Sequence, residues 1–355
     1  MGRFCRQLWL LGALTCAIAF GFPPSASSAQ LSPRASAPPT TAQVREATER
    51  FLADHPAPRS APWPAATASG TGGSEHDTGG TGAGPGPETE IEAELPELPT
   101  VLFPSNRVVA LYGAPQLTAT IIGRRSPKRA TMKLRRQARA YADLTRPVIR
   151  AFDLIAVIAT ASPGPDGKYR SRQSDEIIGT YLKQARKLDG RLVLDLQPAR
   201  AHLMAEIKAL RPWLLEPDVD LIIDAEWMVG RKGIPGRTLG SIRAKELNRA
   251  SRYVQRLIED EGLPPKLLAV HHFTGKNIRG RNKIVSRDDV QVTLNFDGIG
   301  SRSGKTGVYE ALSTEATDEL PLFNGFSLFY RLDSGLMKPE HVTGLTPVPD
   351  FVMYQ

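Results

Sequence analysis

The chain has 355 residues, 41% of them hydrophobic, and a formal net charge of +8. That length suits one large domain or two ordinary ones. Its two cysteines, Cys5 and Cys16, both lie in the first stretch. The rest of the chain therefore has no disulfide framework, cysteine nucleophile or thiolate metal site.

That first stretch reads "MGRFCRQLWLLGALTCAIAFGFPPSASSAQ". Arg3 and Arg6 form a basic start, Leu8 to Phe20 an apolar core, and Ser27-Ser28-Ala29 a small-residue cleavage site. The core is short for a membrane span, and the pattern is that of a secretory signal peptide over residues 1–29. Thr15 before Cys16 makes a poor lipobox, so no lipid anchor is expected at Cys16. Residues 30–97 are rich in Pro, Gly, Ser, Thr and Ala. Such a segment buries too little apolar surface to offset its chain entropy, so it is expected to be a disordered spacer. "TTAQVREATERFLADH" within it has the pattern of one short helix.

Residues 98–355 carry the pattern of a folded domain. "RVVALYGAP" (107–115) reads as a strand and "SPKRATMKLRRQARAYADLT" (126–145) as a helix with Leu134, Ala138 and Tyr141 on one face. "FDLIAVIATAS" (152–162) is a second strand and "QSDEIIGTYLKQARKLDG" (173–190) a helix with a glycine stop. "RLVLDLQP" (191–198) is followed by a helix over 202–214, and "VDLIIDAEW" (219–227) by a long helix over 241–262. That long helix turns Leu247, Ala250, Val254, Leu257 and Ile258 inward. "KLLAVHHFT" (266–274) is the fifth strand and "VQVTLNFDG" (290–298), after a short basic helix, the sixth. "GFSLFYRLD" (325–333) and "PDFVMYQ" (349–355) complete the set. Apolar strands alternating with amphipathic helices indicate parallel βαβ units with both sheet faces covered. The count predicts an α/β fold, a (β/α)8 barrel lacking its final helix. An open doubly wound sheet is the alternative, but "LYGAP" lacks the Gly-x-Gly-x-x-Gly turn. "GIGSRSGKTG" (298–307) lacks the spacing of a phosphate loop and reads as a flexible loop over the mouth.

Barrel active sites form at the carboxyl ends of the strands. Those ends offer Tyr112, Asp195 with Gln197, Asp224 with Glu226 and Trp227, His271-His272, Asn295 with Asp297, and Tyr330. Side chains alternate along a strand, so each of the pairs Asp195/Gln197, Asp224/Glu226 and Asn295/Asp297 shares a face. The two adjacent histidines point to opposite faces, so one reaches the mouth. Paired carboxylates suit glycosidic hydrolysis, in which one acid protonates the leaving oxygen and a second carboxylate acts as base or nucleophile. Glu226 is the candidate acid, Asp224 its tuning neighbour, and Asp195 or Asp297 the partner. Tyr112, Trp227 and Tyr330 are candidates to stack on sugar rings. Gln197, His271, His272, Asn295 and Asp297 are further substrate-binding candidates.

The stretch "DLIIDAEW" resembles the strand-four signature of chitinase-type and muramidase-type glycosidase barrels. By that resemblance Glu226 is the acid and Asp224 its neighbour. Ile222 stands where the chitinase pattern has a further aspartate, a departure that counts against substrate-assisted chitinase chemistry. The order "LDLQPAR … LIIDAEW … VHHFT … LNFDG … FSLFY" resembles a group of secreted, largely uncharacterised proteins and lipoproteins of high-GC Gram-positive bacteria. This resemblance implies a secreted barrel but no particular activity.

The expected function is therefore a secreted, glycoside-hydrolase-like barrel, monomeric, with a polysaccharide or glycan partner and a setting at the cell envelope. No cofactor or metal is expected, and no recognised nucleic-acid module occurs. A non-catalytic glycan-binding barrel and a metal-dependent phosphodiester or ester hydrolase using His271 or His272 with Asp195, Glu226 and Asp297 are the alternatives. The basic run "GRRSPKRATMKLRRQAR" (123–139) reads as a solvated helix face with attraction for anionic surfaces.

Overall fold

The computed structural model describes residues 102–142, 144, 146–313 and 322–355. The signal peptide and spacer expected over 1–97 lie outside the described residues. Eight parallel strands close on themselves: β1 (Arg107–Gly113), β2 (Val148–Ala159), β4 (Arg191–Leu196), β5 (Val219–Asp224), β7 (Lys266–His272), β9 (Val290–Phe296), β10 (Phe323–Leu328) and β11 (Phe351–Tyr354). The circle is completed by β1 pairing with both β2 and β11. Strand β3 (Arg170–Arg172) adds an antiparallel arm to β2. The chain is thus a (β/α)8 barrel, and the open-sheet alternative is excluded by closure.

The alternation of side chains sorts each strand into two faces. Leu221 and Ile223 of β5 join the apolar layer between barrel and helices, whereas Ile222 lies in the barrel interior. Both faces are buried, so the strands read as apolar runs. The outer layer is covered by α1 (Pro127–Arg139), α2 (Asp175–Arg186), α3 (Leu203–Ala209), α4 (Arg211–Leu214), α5 (Ala244–Glu261), α6 (Arg302–Leu312) and α7 (Pro339–Thr343). All five residues expected inward on the long helix are buried on α5. Leu134, Ala138 and Tyr141 are buried against the barrel as the period implied.

Three expectations are corrected. The helix expected over 202–214 is two pieces, α3 and α4, because Pro212 opens a new helix and cannot donate to the preceding turn. "GIGSRSGKTG" is not a loop throughout. Ser301 caps α6 by accepting from the Gly304 amide at 3.3 Å, and the buried Lys305 donates to the Ser327 carbonyl and to Asp333. Gly304 and Gly307 lower the local helix propensity and hide the signal. The basic segment before β9 forms a single 3-10 turn, Arg281–Lys283.

The amino end of the barrel is sealed. Phe103 exchanges two backbone hydrogen bonds with the Gln291 side chain and packs its ring on Phe323. Arg191 and Asp220, both buried, form a bidentate pair at 2.6 and 2.8 Å, and Asp220 also accepts from the Leu267 amide. Beside them Lys266 donates to the carbonyls of Glu216 and Val219. Among the described residues, no helix is long and apolar enough to cross a membrane.

Candidate active site

The carboxyl ends of the strands converge as the alternation requires. Register pairs Tyr112 with Asp153, Asp224 with His271, and His271 with Asn295. These residues therefore share the interior face of neighbouring parallel strands. Asp195, Asp297 and Gln355 join them through the contacts below. Gly325 makes room in this layer, since a Cβ there would lie 2.4 Å from Asn295 Oδ1. Asn295 in turn donates to the Ser327 hydroxyl at 2.9 Å.

The opening of "DAEW" has a local cause. Strand β5 stops at Asp224, and Ala225–Trp227 form a 3-10 turn instead of continuing the strand expected to 227. Asp224 caps this turn, its Oδ1 accepting from the Glu226 amide at 3.2 Å. Its other oxygen accepts from Gln197 at 3.4 Å, and Gln197 also donates to the Tyr112 hydroxyl at 3.1 Å. Gly240 secures the far side, its amide donating to the Glu226 carbonyl at 2.7 Å. Any Cβ at Gly240 would fall 2.3 Å from that oxygen. Glu226 is thus fixed by its backbone on both sides, while its half-buried carboxyl has no hydrogen-bond or ion-pair partner among the described residues.

His271 is the centre of charge. Its Nδ1 lies 3.0 Å from Asp297 Oδ2, and its Nε2 lies 4.0 Å from Asp195 Oδ2. Burial works against a charged imidazole, but Asp297, with Asp224 and Asp195 behind it, outweighs that and holds the His271 pKa well above its ordinary value. Gln355 donates to the other Asp297 oxygen at 2.9 Å. Asp195 is fully buried, whereas the Asp297 side chain keeps 12% exposure and stands nearer solvent.

One member of the cluster was not singled out from sequence. Asp153 of β2 is fully buried, and among the described residues neither of its oxygens has a hydrogen-bond partner, a condition shared with both oxygens of Asp195, His271 Nε2 and Asn295 Oδ1. Burial pushes Asp153 up to about 8, and Asp297 and Asp224 add to the shift against the opposing pull of His271. Asp195 is likewise raised well above the carboxylate range by burial. Asp224 reaches about 6, because burial outweighs the His271 charge and its own hydrogen bonds. Glu226 is raised well above the usual range by burial, then by Asp224 and Asp297. Burial and the like charge of neighbouring carboxyls thus work together in this cluster, each raising the proton affinity of the acids around His271.

Of the remaining expected residues, His272 and Tyr330 fall outside the mouth, whereas Trp227 and Tyr112 stand beside or within it. His272 points outward as the alternation required, and burial, with Arg281, lowers it to about 3. Tyr330 lies on the outer side of the barrel. Its ring stacks on Tyr354 and under Lys133, and its hydroxyl donates to Gln137 of α1. Trp227 is half-buried in the 3-10 turn beside Glu226. Tyr112 stands inside the mouth, its ring 6.2 Å from that of His271. Among the described residues, no three His, Cys, Asp or Glu side chains are grouped as a metal ion would need. A signal for Asp153 was present, because it is the one charge in the run "AFDLIAVIA" and shares the inner face with Ala151 and Ile155.

Fold and site together define a (β/α)8 barrel with a carboxyl-rich mouth centred on one histidine. No family model matches the chain, and no curated protein matches it.

Proposed function

We propose that this barrel hydrolyses glycosidic bonds in an extracellular or cell-envelope glycan, with Glu226 as the proton donor. The observation that carries the reading is the placement of Glu226: half-buried beside Asp224 at the mouth, without a hydrogen-bond or ion-pair partner among the described residues, its proton affinity raised by burial and by Asp224 and Asp297. A glycosidic acid must keep its proton near neutral pH and present it to the leaving oxygen. Asp297 is the partner carboxylate, since it is the more exposed of the two aspartates next to His271 and is oriented by His271 and Gln355. Asp224 orients the turn that bears Glu226 and raises its proton affinity. Asp153 and Asp195 lie deeper and act through His271. Tyr112 and Gln197 form the neighbouring wall, where a sugar ring and its hydroxyls would rest.

Export through the amino-terminal signal is part of the proposal, with the spacer giving the barrel reach into the envelope. The test is release of reducing sugar from a panel of purified envelope and extracellular polysaccharides, run with the protein, with Glu226→Gln and with added chelator. Release that survives chelator and is lost in the variant supports the reading. Binding by both proteins without release moves the assignment to a glycan-binding barrel. Activity abolished by chelator favours a metal-dependent hydrolase.

A further inference from the structure

Outside the mouth, a cationic surface lies at the start of α5. Strands β6 (Ile242–Arg243) and β8 (Ile278–Arg279) form a two-stranded parallel ribbon whose register sets Arg243 directly beside Arg279. Like charges placed opposite one another on paired strands oppose pairing. Among the described residues that line this surface, the one acid is Glu246, which binds Arg243 at 3.1 Å. The exposed face of α5 adds Lys245, Arg249 and Arg252 at helical spacing, and Lys283 adds a sixth cation from the 3-10 turn. Among the described residues, Lys245, Arg249, Arg252, Arg279 and Lys283 have no ion-pair partner.

These residues line two adjoining concavities of about 460 and 500 Å³, which share Arg243, Lys245, Arg249 and Arg279. The first is lined in part by residues that follow mouth residues closely along the chain. Its wall includes Ala199, two residues beyond Gln197, and Met228, two beyond Glu226. The link is also structural, since Gly240 bonds the Glu226 carbonyl and Ser241 bonds the Met228 carbonyl immediately before the ribbon begins. A groove dense in unpaired cations concentrates an anionic ligand and orients it.

Building on the glycosidase reading, we infer that the glycan is anionic and that its chain runs from the mouth along this groove, its acidic groups held by Arg243, Lys245, Arg249, Arg252, Arg279 and Lys283. The recognised chemistry is a repeating carboxylate or phosphodiester on a polysaccharide. The mouth cleaves, and the groove holds the portion of the chain that lies beyond the scissile bond.

The test measures binding of the full-length protein to polygalacturonate, to a poly(glycerol phosphate) chain and to neutral dextran, at low and moderate salt. The variants are Lys245→Glu/Arg249→Glu/Arg252→Glu, all exposed helix positions, and the milder Arg249→Gln/Arg252→Gln, with circular dichroism to confirm the fold. The expected result is salt-sensitive binding to one of the two anionic polymers, none to dextran, and a loss of about tenfold or more in the triple variant. The polymer that binds identifies carboxylate or phosphate as the recognised group. Failure of the protein to bind either anionic polymer, or equal binding by the triple variant, overturns the inference. Glu226→Gln separates this from the parent reading. Groove-dependent binding by wild type and Glu226→Gln, without cleavage by either, leaves the groove standing and removes the glycosidase. Cleavage of a neutral glycan, unaffected by the triple variant, does the reverse.

Discussion

Replacing Asp153 with asparagine should stabilise the protein, and more so as pH rises. The side chain is fully buried, neither oxygen is hydrogen-bonded among the described residues, and burial pushes its pKa from an ordinary 3.8 up to about 8. Below pH 4 the folded and unfolded states both carry the proton. From there to about 8 the unfolded chain releases it while the folded chain keeps it, so stability falls as pH rises across that window. About four units at about 1.4 kcal/mol each put the ceiling at roughly 5–6 kcal/mol at pH 8. His271 and the neighbouring carboxyls adjust their own protons as Asp153 ionises, so the observed gain should lie between about 2 and 5 kcal/mol. Asparagine keeps the shape and removes the ionisation. Urea unfolding followed by tryptophan fluorescence at pH 5, 6.5 and 8 measures the effect. Wild type should lose stability along this series, and Asp153→Asn should flatten the slope with the largest gain at pH 8. A variant less stable than wild type at pH 8, or one with an unchanged slope, refutes the reasoning.

Other expectations follow from the same geometry. Arg191→Met should cost about 3–5 kcal/mol by leaving Asp220 unpaired in the barrel floor, whereas Arg191→Met/Asp220→Leu should recover most of that loss, both read by denaturant unfolding. Recovery in the double variant no better than in the single one would show that the floor depends on the charges themselves. Activity should fall as pH rises through the Glu226 pKa, because the acid must hold its proton. His271 lowers the proton affinity of Glu226, so the residual activity of His271→Gln should have its alkaline limb moved to higher pH. A limb that stays in place or moves down, in a pH profile of kcat/KM, would remove His271 from the electrostatics of the acid.

Most of the barrel was legible because its strands are apolar on both faces and its helices keep a 3.6-residue period. The sealing of the floor was not, since the partnership of Arg191 with Asp220 joins two neighbouring strands and leaves no local pattern. Within the site, the pairs Asp195/Gln197 and Asn295/Asp297 fell on the interior face by simple alternation. Asp224 and Glu226 reached the same mouth by another route, because the strand ends and a 3-10 turn carries the glutamate. Asp153 escaped notice since one charge in a long apolar strand looks like an irregularity until register places Tyr112 beside it. Tyr330 was misleading in the opposite way. It follows an apolar strand, but β10 ends at Leu328 and the chain turns it outward onto Tyr354 and α1.

If Glu226 donates a proton to a leaving oxygen, the effect of its loss must depend on how much the leaving group needs that proton. Once a cleaved glycan is known, Glu226→Gln should be compared with wild type on that glycan and on a dinitrophenyl glycoside of the same sugar, whose leaving group needs no proton. The expected loss is about 100-fold or more on the glycan and much smaller on the aryl glycoside. Equal losses on both substrates, or full activity on the glycan, would contradict it.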